Sequence, residues 1–455
     1  RWTDPRTFAA PVGSPTVEFM RLRSVLLVAT GLLTAAGYSL HVRAPEDAEP
    51  VPTAAASADL DPATGAILID LDDDISDSER DALAALVVGA IAPYDWPEGD
   101  AALGDVLSAD AQLLRLHAPA SEVADVFAAL RANEDVESIE RERIWTLPED
   151  ALATEFIPLD DEDIEDARGG FRPNDPFYKH QWHLDQIQMP AAWQRSRGQG
   201  VVVAVIDTGV SYRDLGSRFR TAPDLKQTRF VAGRDFVEND ATPDDEHGHG
   251  THVAGTVAQS TNNGVGVAGV APEAAIMPIR VLDARGAGSW GSVAAGIRWA
   301  ADHGADVMNL SLGGGTPSQA IATAIIYAHR KGVVVVVAAG NTGRGRVQYP
   351  AANRFAFAVG AVRYDETLSF YSSYGRHLDI VAPGGDLRVD QNRDGMPDGV
   401  LQNTILRGNP MRHDYLGFQG TSMAAPHVAG VAALLKASGV RDPTAVEPSL
   451  IHNLH

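Results

Sequence analysis

The chain has 455 residues, 45% of them hydrophobic and 21% charged, a composition typical of a globular protein with room for two or three domains. Its formal net charge of −23 argues against nucleic acid as a partner, because sequence-independent binding needs a basic surface. There is no cysteine, which excludes disulfides, thiolate zinc sites and a cysteine nucleophile.

The N-terminal region, residues 1–40, has the layout of a leader with a secretory signal peptide. Met20 is followed by Arg21 and Arg23, and then by an apolar run over residues 24–37. A buried helix or an uncleaved anchor is the alternative, although a spanning helix needs about 20 apolar residues. We expect a secreted protein, extracellular or periplasmic, with no stable membrane association in its mature form. Without disulfides, its stabilisation would come from bound calcium.

A linker rich in Ala, Pro and acidic residues, 41–64, leads into a compact segment at 65–147. The pattern predicts strands at 66–71, 111–116 and 136–145 and helices at 76–91 and 121–132. The first helix opens with a capping box, in which Ser76 is followed three residues later by Glu79. These elements predict a small α+β domain.

The next segment, 148–172, is predicted to be an exposed connector. Six of the seven residues at 160–166 are acidic, so they do not bury apolar surface. Such connectors are where proteolytic nicking concentrates, which favours a cleavable linker over an inert spacer.

The remaining segment, 173–455, has the pattern of an α/β domain. Unbroken apolar runs at 201–206, 307–312 and 333–339 are typical of parallel strands buried on both faces. Helical patterns at 292–303, 318–331 and 422–437 predict the covering layers. In such sheets, functional sites form at the carboxyl ends of the strands.

Three motifs in this domain carry reactive side chains. Asp207 directly follows a buried strand, His247, His249 and His252 lie close together in a glycine-rich stretch, and Ser422 stands at a helix start. Taken singly, each has another interpretation: a turn or half of an aspartic protease dyad, a zinc cluster, or a helix cap.

Taken together, the motifs resemble those of the subtilisin family (subtilases), in which Asp, His and Ser follow in this order. The resemblance spans residues 174–435 and is carried by 205–209 (VIDTG), 247–255 (HGHGTHVAG), 311–314 (SLGG), 338–341 (AAGN) and 420–427 (GTSMAAPH). It implies a subtilisin-like fold, a parallel sheet with helices on both faces. It also implies a serine endopeptidase with Asp207, His249 and Ser422 as catalytic triad and Asn341 as oxyanion donor. On the same resemblance His252 is structural, and His247 receives no role.

The resemblance also implies where an extended peptide substrate binds. Residues 286–288 and 311–313 would form two strands that hold the substrate between them. Trp290 is either an aromatic rim of a distal pocket or a core residue, and Gln348 would face the floor of the pocket before the scissile bond. The predicted substrate-binding residues are Ser311, Leu312, Gly313, Gly288, Trp290 and Gln348.

Two stretches are candidate sites for structural calcium. The first follows the resemblance and brings together Asp175, Asp224 and Asn263 with carbonyl oxygens of the loop 261–267. The second, Asp390, Asn392, Asp394 and Asp398, has oxygen ligands at alternate positions followed by glycine, as a calcium loop requires. It lacks the closing glutamate, since residue 401 is leucine, and an acidic surface turn is the alternative.

By resemblance, the segment 65–147 would be a propeptide that acts as an intramolecular inhibitor, with self-cleavage between 147 and 173. Protein or peptide substrates and a monomeric enzyme are expected. Only 33 residues follow Ser422 (455 minus 422), fewer than is usual for the family, so we expect the C-terminal end of the domain to be incomplete. Two alternatives remain at this point, a catalytically silent subtilase-like binding domain and a zinc hydrolase that uses the histidines.

Overall fold

The fold is described from a computed structural model, which covers residues 66–72, 75–90, 105–108, 113–117, 123–147, 154–155, 170–406 and 409–452. The predicted leader, the linker at 41–64 and the acidic run at 160–166 lie outside the described residues. Within the described residues, no helix is both long enough and apolar enough to cross a bilayer.

The N-terminal segment forms a four-stranded antiparallel sheet with two helices. Its strands are Ala66–Leu71 (β1), Asp105–Ser108 (β2), Leu113–His117 (β3) and Val136–Arg141 (β4), and its helices are Asp77–Ala90 (α1) and Val123–Leu130 (α2). The strand order is β2-β3-β1-β4. A separate apolar core, which includes Ile67, Leu116 and Val126, fills the space between sheet and helices. The predicted α+β unit is therefore present, and its capping box forms, since Ser76 N donates to Glu79 Oε2 at 2.8 Å.

The predicted strand at 136–145 is divided in two, because the chain leaves the sheet after β4. Two short strands follow, Ile144–Thr146 (β5) and Thr154–Glu155 (β6). Both pair with strands of the C-terminal domain instead of with β1–β4.

The C-terminal domain is built on a parallel sheet with the strand order β15-β14-β13-β12-β7-β10-β8, and β9 also pairs with β10. Its strands are Val202–Asp207 (β7), Arg229–Phe230 (β8), Arg234–Asp235 (β9), Ala275–Arg280 (β10), Ala287–Ser289 (β11), Val307–Leu310 (β12), Val334–Ala338 (β13), Ala356–Val362 (β14), Ile380–Pro383 (β15), Val400–Leu406 (β16) and Asn409–Phe418 (β17). The last two form an antiparallel hairpin, and β11 stands apart from the sheet and pairs with β5.

Helices cover both faces of the parallel sheet, as the unbroken apolar strands require. The helices are Trp182–Gln186 (α3), Met189–Ala192 (α4), His249–Ala258 (α5), Trp290–Asp302 (α6), Gln319–Arg330 (α7), Thr421–Ala437 (α8) and Pro443–His452 (α9). Buried residues of α5 and α8 belong to the apolar cluster on one face of the sheet, and those of α6 and α7 to the cluster on the other. The α/β architecture expected from the sequence, a parallel sheet with helices on both faces, is confirmed.

Candidate functional site

Asp207 ends the central strand β7, which lies between β12 and β10 in the sheet. Its carboxylate is fully buried. Oδ1 accepts a hydrogen bond from the backbone N–H of Thr208 at 2.7 Å and one from Nδ1 of His249 at 2.7 Å. The carboxyl end of a central, buried strand thus holds the Asp207 carboxylate in place beside the imidazole.

His249 is the first residue of α5, and Gly248 before it has a φ of +103°, a conformation that glycine adopts without steric cost. Because a carboxylate only accepts hydrogen bonds, the proton of the neutral imidazole lies on Nδ1, and Nε2 carries a lone pair. Burial lowers the pKa of His249, but the charge of Asp207 and the hydrogen bond to it outweigh burial, so the pKa lies above its ordinary value.

Ser422 is the second residue of α8 and is held beside the end of β12. Its Oγ donates to the carbonyl oxygen of Ser311 at 3.1 Å, and Oγ of Ser311 donates to the carbonyl oxygen of Ser422 at 2.7 Å. Ser311 directly follows β12, and β12 pairs with β7 so that Leu310 lies opposite Ile206. Ser422 and Asp207 are therefore brought to the same edge of the sheet, while the hydroxyl itself faces Ser311 O rather than the imidazole.

Asn341, three residues after β13, lies against the start of the same helix. Its Oδ1 accepts hydrogen bonds from the backbone N–H of Thr421 at 2.9 Å and from Oγ1 of Thr421 at 2.8 Å. These two bonds fix the amide plane and leave Nδ2 as a donor. The N–H of Ser422 lies in the first turn of α8, where a helix provides no acceptor of its own. Both N–H donors lie next to Gly420, since a Cβ built there would be 3.4 Å from Nδ2 of Asn341 and 3.6 Å from N of Ser422.

The three neighbouring histidines do not converge on one point. Nε2 of His252 lies 3.0 Å from the carbonyl oxygen of Val400 and 3.2 Å from that of Leu416, and its ring stacks on Phe418. Burial is the main reason why the pKa of His252 falls to about 3. Among the described residues, no group of three or more His, Cys, Asp or Glu side chains is arranged to hold a metal ion.

One side of the predicted substrate cleft, residues 286–288, is covered by a segment of the chain itself. Strand β5 pairs antiparallel with β11, with Trp145 opposite Gly288, and the N–H of Leu147 donates to the carbonyl oxygen of Gly286 at 2.8 Å. Trp290 is buried, and the ring of Trp145 lies 5.8 Å from it. Trp290 is therefore a core residue, one of the two interpretations, and its ring also contacts the side chain of Trp145.

The other side of the predicted cleft comprises residues 311–314, which follow β12. A Cβ on Gly314 would come within 2.5 Å of the Trp145 indole nitrogen, so the ring lies directly on this backbone. Among the described strand pairings, β5 pairs only with β11. Ser311, Leu312 and Gly313 therefore form no strand pairing with β5. The side chain of Gln348 packs against Gly340, next to Asn341.

Further contacts join the N-terminal unit to the C-terminal domain and were not predicted from the sequence. The buried carboxylate of Glu140 on β4 accepts hydrogen bonds from Ser318 Oγ and from the N–H groups of residues 319 and 320 at the start of α7. Asp70 on β1 accepts a hydrogen bond from Arg298 on α6 at 3.0 Å, and both side chains are buried. The sequence signal for these contacts is weak, because an acidic residue on a short strand ordinarily faces solvent.

The residues of the first predicted calcium loop lie close together. Asp175 accepts hydrogen bonds from the N–H groups of Asn262 and Asn263, and Asp224 accepts one from Nδ2 of Asn263 at 2.8 Å and one from the N–H of Val267 at 2.9 Å. Burial, together with the charge of Asp175, raises the pKa of Asp224 to about 7. Two neighbouring carboxylates that disfavour each other's charge supply oxygen ligands of the kind that a hard cation such as calcium takes, although Asn263 presents its amide nitrogen to Asp224 here.

The second predicted calcium loop folds around its own backbone. Asp390, Asn392 and Asp394 each accept an N–H of the loop, and Oδ2 of Asp394 also lies 3.0 Å from Nδ1 of His180. Burial raises the pKa of Asp398 to about 6. Within the described residues, Oδ1 of Asp398 is buried without a hydrogen-bond partner. An orphaned buried carboxylate oxygen is a feature that a bound cation would satisfy, although the carboxylates of Asp390, Asp394 and Asp398 are not gathered around one point among the described residues.

Comparison with known proteins places this geometry in a family. The sequence profile of the subtilase family matches residues 198–447. The chain is 42% identical to thermitase from Thermoactinomyces vulgaris over 270 residues, which are 59% of this chain and 87% of the relative. It is 39% identical to M-protease from Shouchella clausii (strain KSM-K16) over 322 residues, 69% of this chain and 76% of the relative.

Solved structures agree with the sequence comparison. Fervidolysin from Fervidobacterium pennivorans, described as a keratinolytic enzyme related to subtilisin, superposes with a TM-score of 0.62 at 27% identity and covers 84% of this chain and 56% of its own. A protease from Pseudoalteromonas arctica PAMC 21717 superposes with a TM-score of 0.54 at 36% identity, over 61% of this chain and 90% of its own. This chain belongs to the subtilase family and is a serine endopeptidase.

Proposed function

We propose that the enzyme hydrolyses peptide bonds through Asp207, His249 and Ser422, with Asn341 as oxyanion donor, and that it is made as a secreted, self-processed precursor. The observation that carries this proposal is the 2.7 Å hydrogen bond between His249 Nδ1 and the buried Asp207, beside a helix start at which Ser422 is anchored to Ser311. The bond leaves Nε2 unprotonated and available as a general base.

The reaction begins with a rotation of the Ser422 side chain from Ser311 O toward Nε2 of His249. Hydrogen bonds between nucleophile and base are often absent before substrate binds. The imidazole takes the hydroxyl proton as Oγ attacks the substrate carbonyl, and Asp207 stabilises the imidazolium without taking the proton. The N–H of Ser422 and Nδ2 of Asn341 donate to the oxyanion. His249 then protonates the leaving amine, and water hydrolyses the acyl-enzyme with the same histidine as base.

Protein or peptide substrates would bind in the cleft between residues 286–288 and 311–313. Main-chain hydrogen bonds to the edge of β11 supply affinity that does not depend on sequence. Trp290 would line a distal pocket for a large apolar side chain, because it contacts Trp145 in the present structure. Gln348 would limit the pocket next to Ser422. We expect no nucleic-acid partner and a monomeric enzyme.

Residues 65–147 would act as an intramolecular inhibitor, with residues 148–172 as the cleavable linker and 173–455 as the peptidase domain. The pairing of β5 with β11 and the burial of Trp145 support this role, because they occupy the surface that a substrate needs. The buried pair of Asp70 and Arg298 and the contacts of Glu140 with α7 would hold the inhibitor after cleavage. Residues 1–40 would direct export and 41–64 would be a linker.

Structural calcium is proposed at both loops. Asp175, Asp224 and Asn263 would hold one ion, and Asp390, Asn392, Asp394 and Asp398 a second. Bound calcium would supply positive charge that allows these buried carboxylates to ionise in the folded protein. The protein itself would position the oxygen atoms before the ion binds, because these side chains already accept hydrogen bonds from N–H groups.

A serine-directed fluorophosphonate separates this proposal from its two alternatives. Labelling at Ser422 that is lost in Ser422→Ala supports it. Absence of labelling in correctly folded, processed protein would indicate a catalytically silent domain, and loss of activity on zinc chelation alone would indicate a zinc hydrolase.

Self-processing needs a separate experiment. The N-terminus of secreted Ser422→Ala protein, made in a host without extracellular proteases, is compared with that of the parent. We expect the variant to keep residues 65–172, and cleavage as efficient as in the parent would show that another protease does the work.

A further inference from the structure

A second buried carboxylate lies beside the triad and makes an unusual number of hydrogen bonds. Asp245, in the segment between β9 and α5, is fully buried. Its Oδ1 accepts from Thr208 Oγ1 at 2.9 Å, from the N–H of His247 at 2.8 Å and from the N–H of Gly248 at 2.9 Å. Its Oδ2 accepts from the N–H of Thr251 at 3.0 Å and from Oγ1 of Thr251 at 2.6 Å.

These donors stand on both sides of the hydrogen bond between Asp207 and His249. Thr208 follows Asp207, and its Oγ1 also accepts the N–H of Gly250 at 2.9 Å. Gly248 precedes His249. The Asp245 carboxylate therefore joins the end of β7, which carries Asp207, to the first turn of α5, which carries His249. The two elements also share an apolar core, and the Asp245 carboxylate adds a polar link between them close to the hydrogen bond of Asp207 with His249.

We propose that Asp245 is a positioning residue of the hydrolytic reaction: it holds the His249 imidazole against Asp207 and places a second negative charge near the imidazolium that forms. The proposal rests on the triad assignment made above. It differs from a purely structural role, because the charge acts on the protonation of His249 as well as on its position.

The electrostatic surroundings support the second part. The described residues contain no ion pair between Asp245 and a lysine or arginine, and the hydrogen-bond donors to its carboxylate are N–H and O–H groups. The charged and titratable groups around His249 are Asp207, Asp245, His247 and His252. Although burial opposes protonation, the carboxylates of Asp207 and Asp245 both raise the pKa of His249.

Two substitutions separate position from charge. Asp245→Asn removes the charge and replaces one carboxylate oxygen with an NH2 group. At least one backbone N–H that Asp245 accepts then loses its acceptor. Thr208→Val keeps the charge and the side-chain shape but removes the hydroxyl that connects Asp245 with Gly250. Thr208→Ser keeps that hydroxyl and should restore activity.

Asp306→Asn is the matched control. Asp306 also accepts a backbone N–H of β7, that of Val202 at 2.9 Å, but at the opposite end of the strand from Asp207. Its loss should affect the melting temperature and leave kcat and the pH profile unchanged.

The full chain is expressed and allowed to mature, active sites are counted with a fluorophosphonate, and kcat and KM for a peptide are measured against pH. For Asp245→Asn we expect kcat per active site to fall about 10- to 100-fold, the scale of a misplaced reacting group, with KM unchanged. The acid limb of kcat/KM should move to lower pH by about half a unit. For Thr208→Val we expect a smaller loss of kcat and an unmoved acid limb.

Two results would overturn the proposal. One is a wild-type kcat per active site and an unmoved acid limb in Asp245→Asn. The other is a loss of activity in both Asp245→Asn and Thr208→Val that is explained entirely by a smaller number of active sites in the fluorophosphonate titration. If Asp245→Asn does not fold, Thr208→Val and Thr208→Ser decide the positioning part alone. Failure of wild-type protein to label at Ser422 would instead contradict the triad assignment, so the two failures are distinguishable.

Discussion

The backbone around Gly250 leaves no room for a Cβ atom, so Gly250→Ala should reduce both activity and stability. Gly250 is the second residue of α5, directly after His249. A Cβ placed there would overlap the carbonyl oxygen of Gly209 and lie 3.1 Å from Cβ of Asp207 and 3.1 Å from Oγ1 of Thr208. Because the carbonyl oxygen of Gly209 belongs to the backbone, no change of side-chain rotamer relieves the overlap.

Two effects of opposite sign compete in this substitution. Alanine is favoured over glycine inside a helix by about 1 kcal/mol, and by less in the first turn, where α5 is still without its full set of hydrogen bonds. Overpacking a close contact typically costs about 1–3 kcal/mol, and a clash with backbone belongs to the upper part of that range. We therefore expect a net loss of stability of about 1–2 kcal/mol.

Relief of the clash requires the start of α5 to move away from β7, which lengthens the hydrogen bond between His249 and Asp207. We expect kcat per active site to fall about 10- to 100-fold with KM little changed, because the cleft walls at residues 286–288 and 311–313 are untouched. Steady-state kinetics with active-site titration and a thermal melt measure both effects.

Gly430→Ala is the matched control. It is also a helical glycine, and its Cβ would lie 2.6 Å from Cβ of Val270, far along α8 from Ser422. It should lose stability without loss of kcat. Wild-type kcat together with an unchanged or higher melting temperature in Gly250→Ala would refute the argument that this approach is rigid.

Three further predictions follow from the titrating groups and from the N-terminal unit. In the proposed mechanism the neutral imidazole of His249 is the base, and the pKa of His249 lies above the ordinary 6.5. Activity should therefore fall as pH decreases, with the midpoint of the acid limb of kcat/KM above 6.5; a midpoint below it would contradict this. Without calcium, ionisation of Asp224 is disfavoured in the folded protein, so stability should decrease as pH rises from 3.8 to about 7; added calcium should reverse this in thermal melts, and the same melting temperature with and without a chelator would remove the claim. Trp145→Ala should weaken inhibition, because the indole loses its contact with Trp290, and activity should appear earlier after secretion; an unchanged lag would show that the ring is not part of the inhibitory contact.

The local sequence was informative wherever a structural requirement is satisfied by neighbours in the chain. The unbroken apolar runs predicted the parallel sheet, because strands covered on both faces leave no position for a polar side chain. The predicted helix at 422–437 differs from α8 by one residue at its start. By contrast, the strand predicted at 136–145 proved to be two, because residues 144–146 leave their own sheet to pair with β11, a partner that local pattern does not specify.

The sequence by itself determined the family, the fold class and the candidate residues Asp207, His249, Ser422 and Asn341, because their motifs are local and each follows a recognisable strand or begins a helix. Only the tertiary structure decided which groups orient them. Asp245 is one member of an acidic run that would ordinarily be exposed, and Glu140 is one glutamate on an edge strand. Glu140 becomes a buried acceptor only where the start of α7 brings N–H groups to it. Asp245 takes its N–H donors from its own neighbours in the chain, but the Thr208 hydroxyl ties it to β7. Contacts between elements depend on how sheets and helices pack, which no single stretch of sequence encodes.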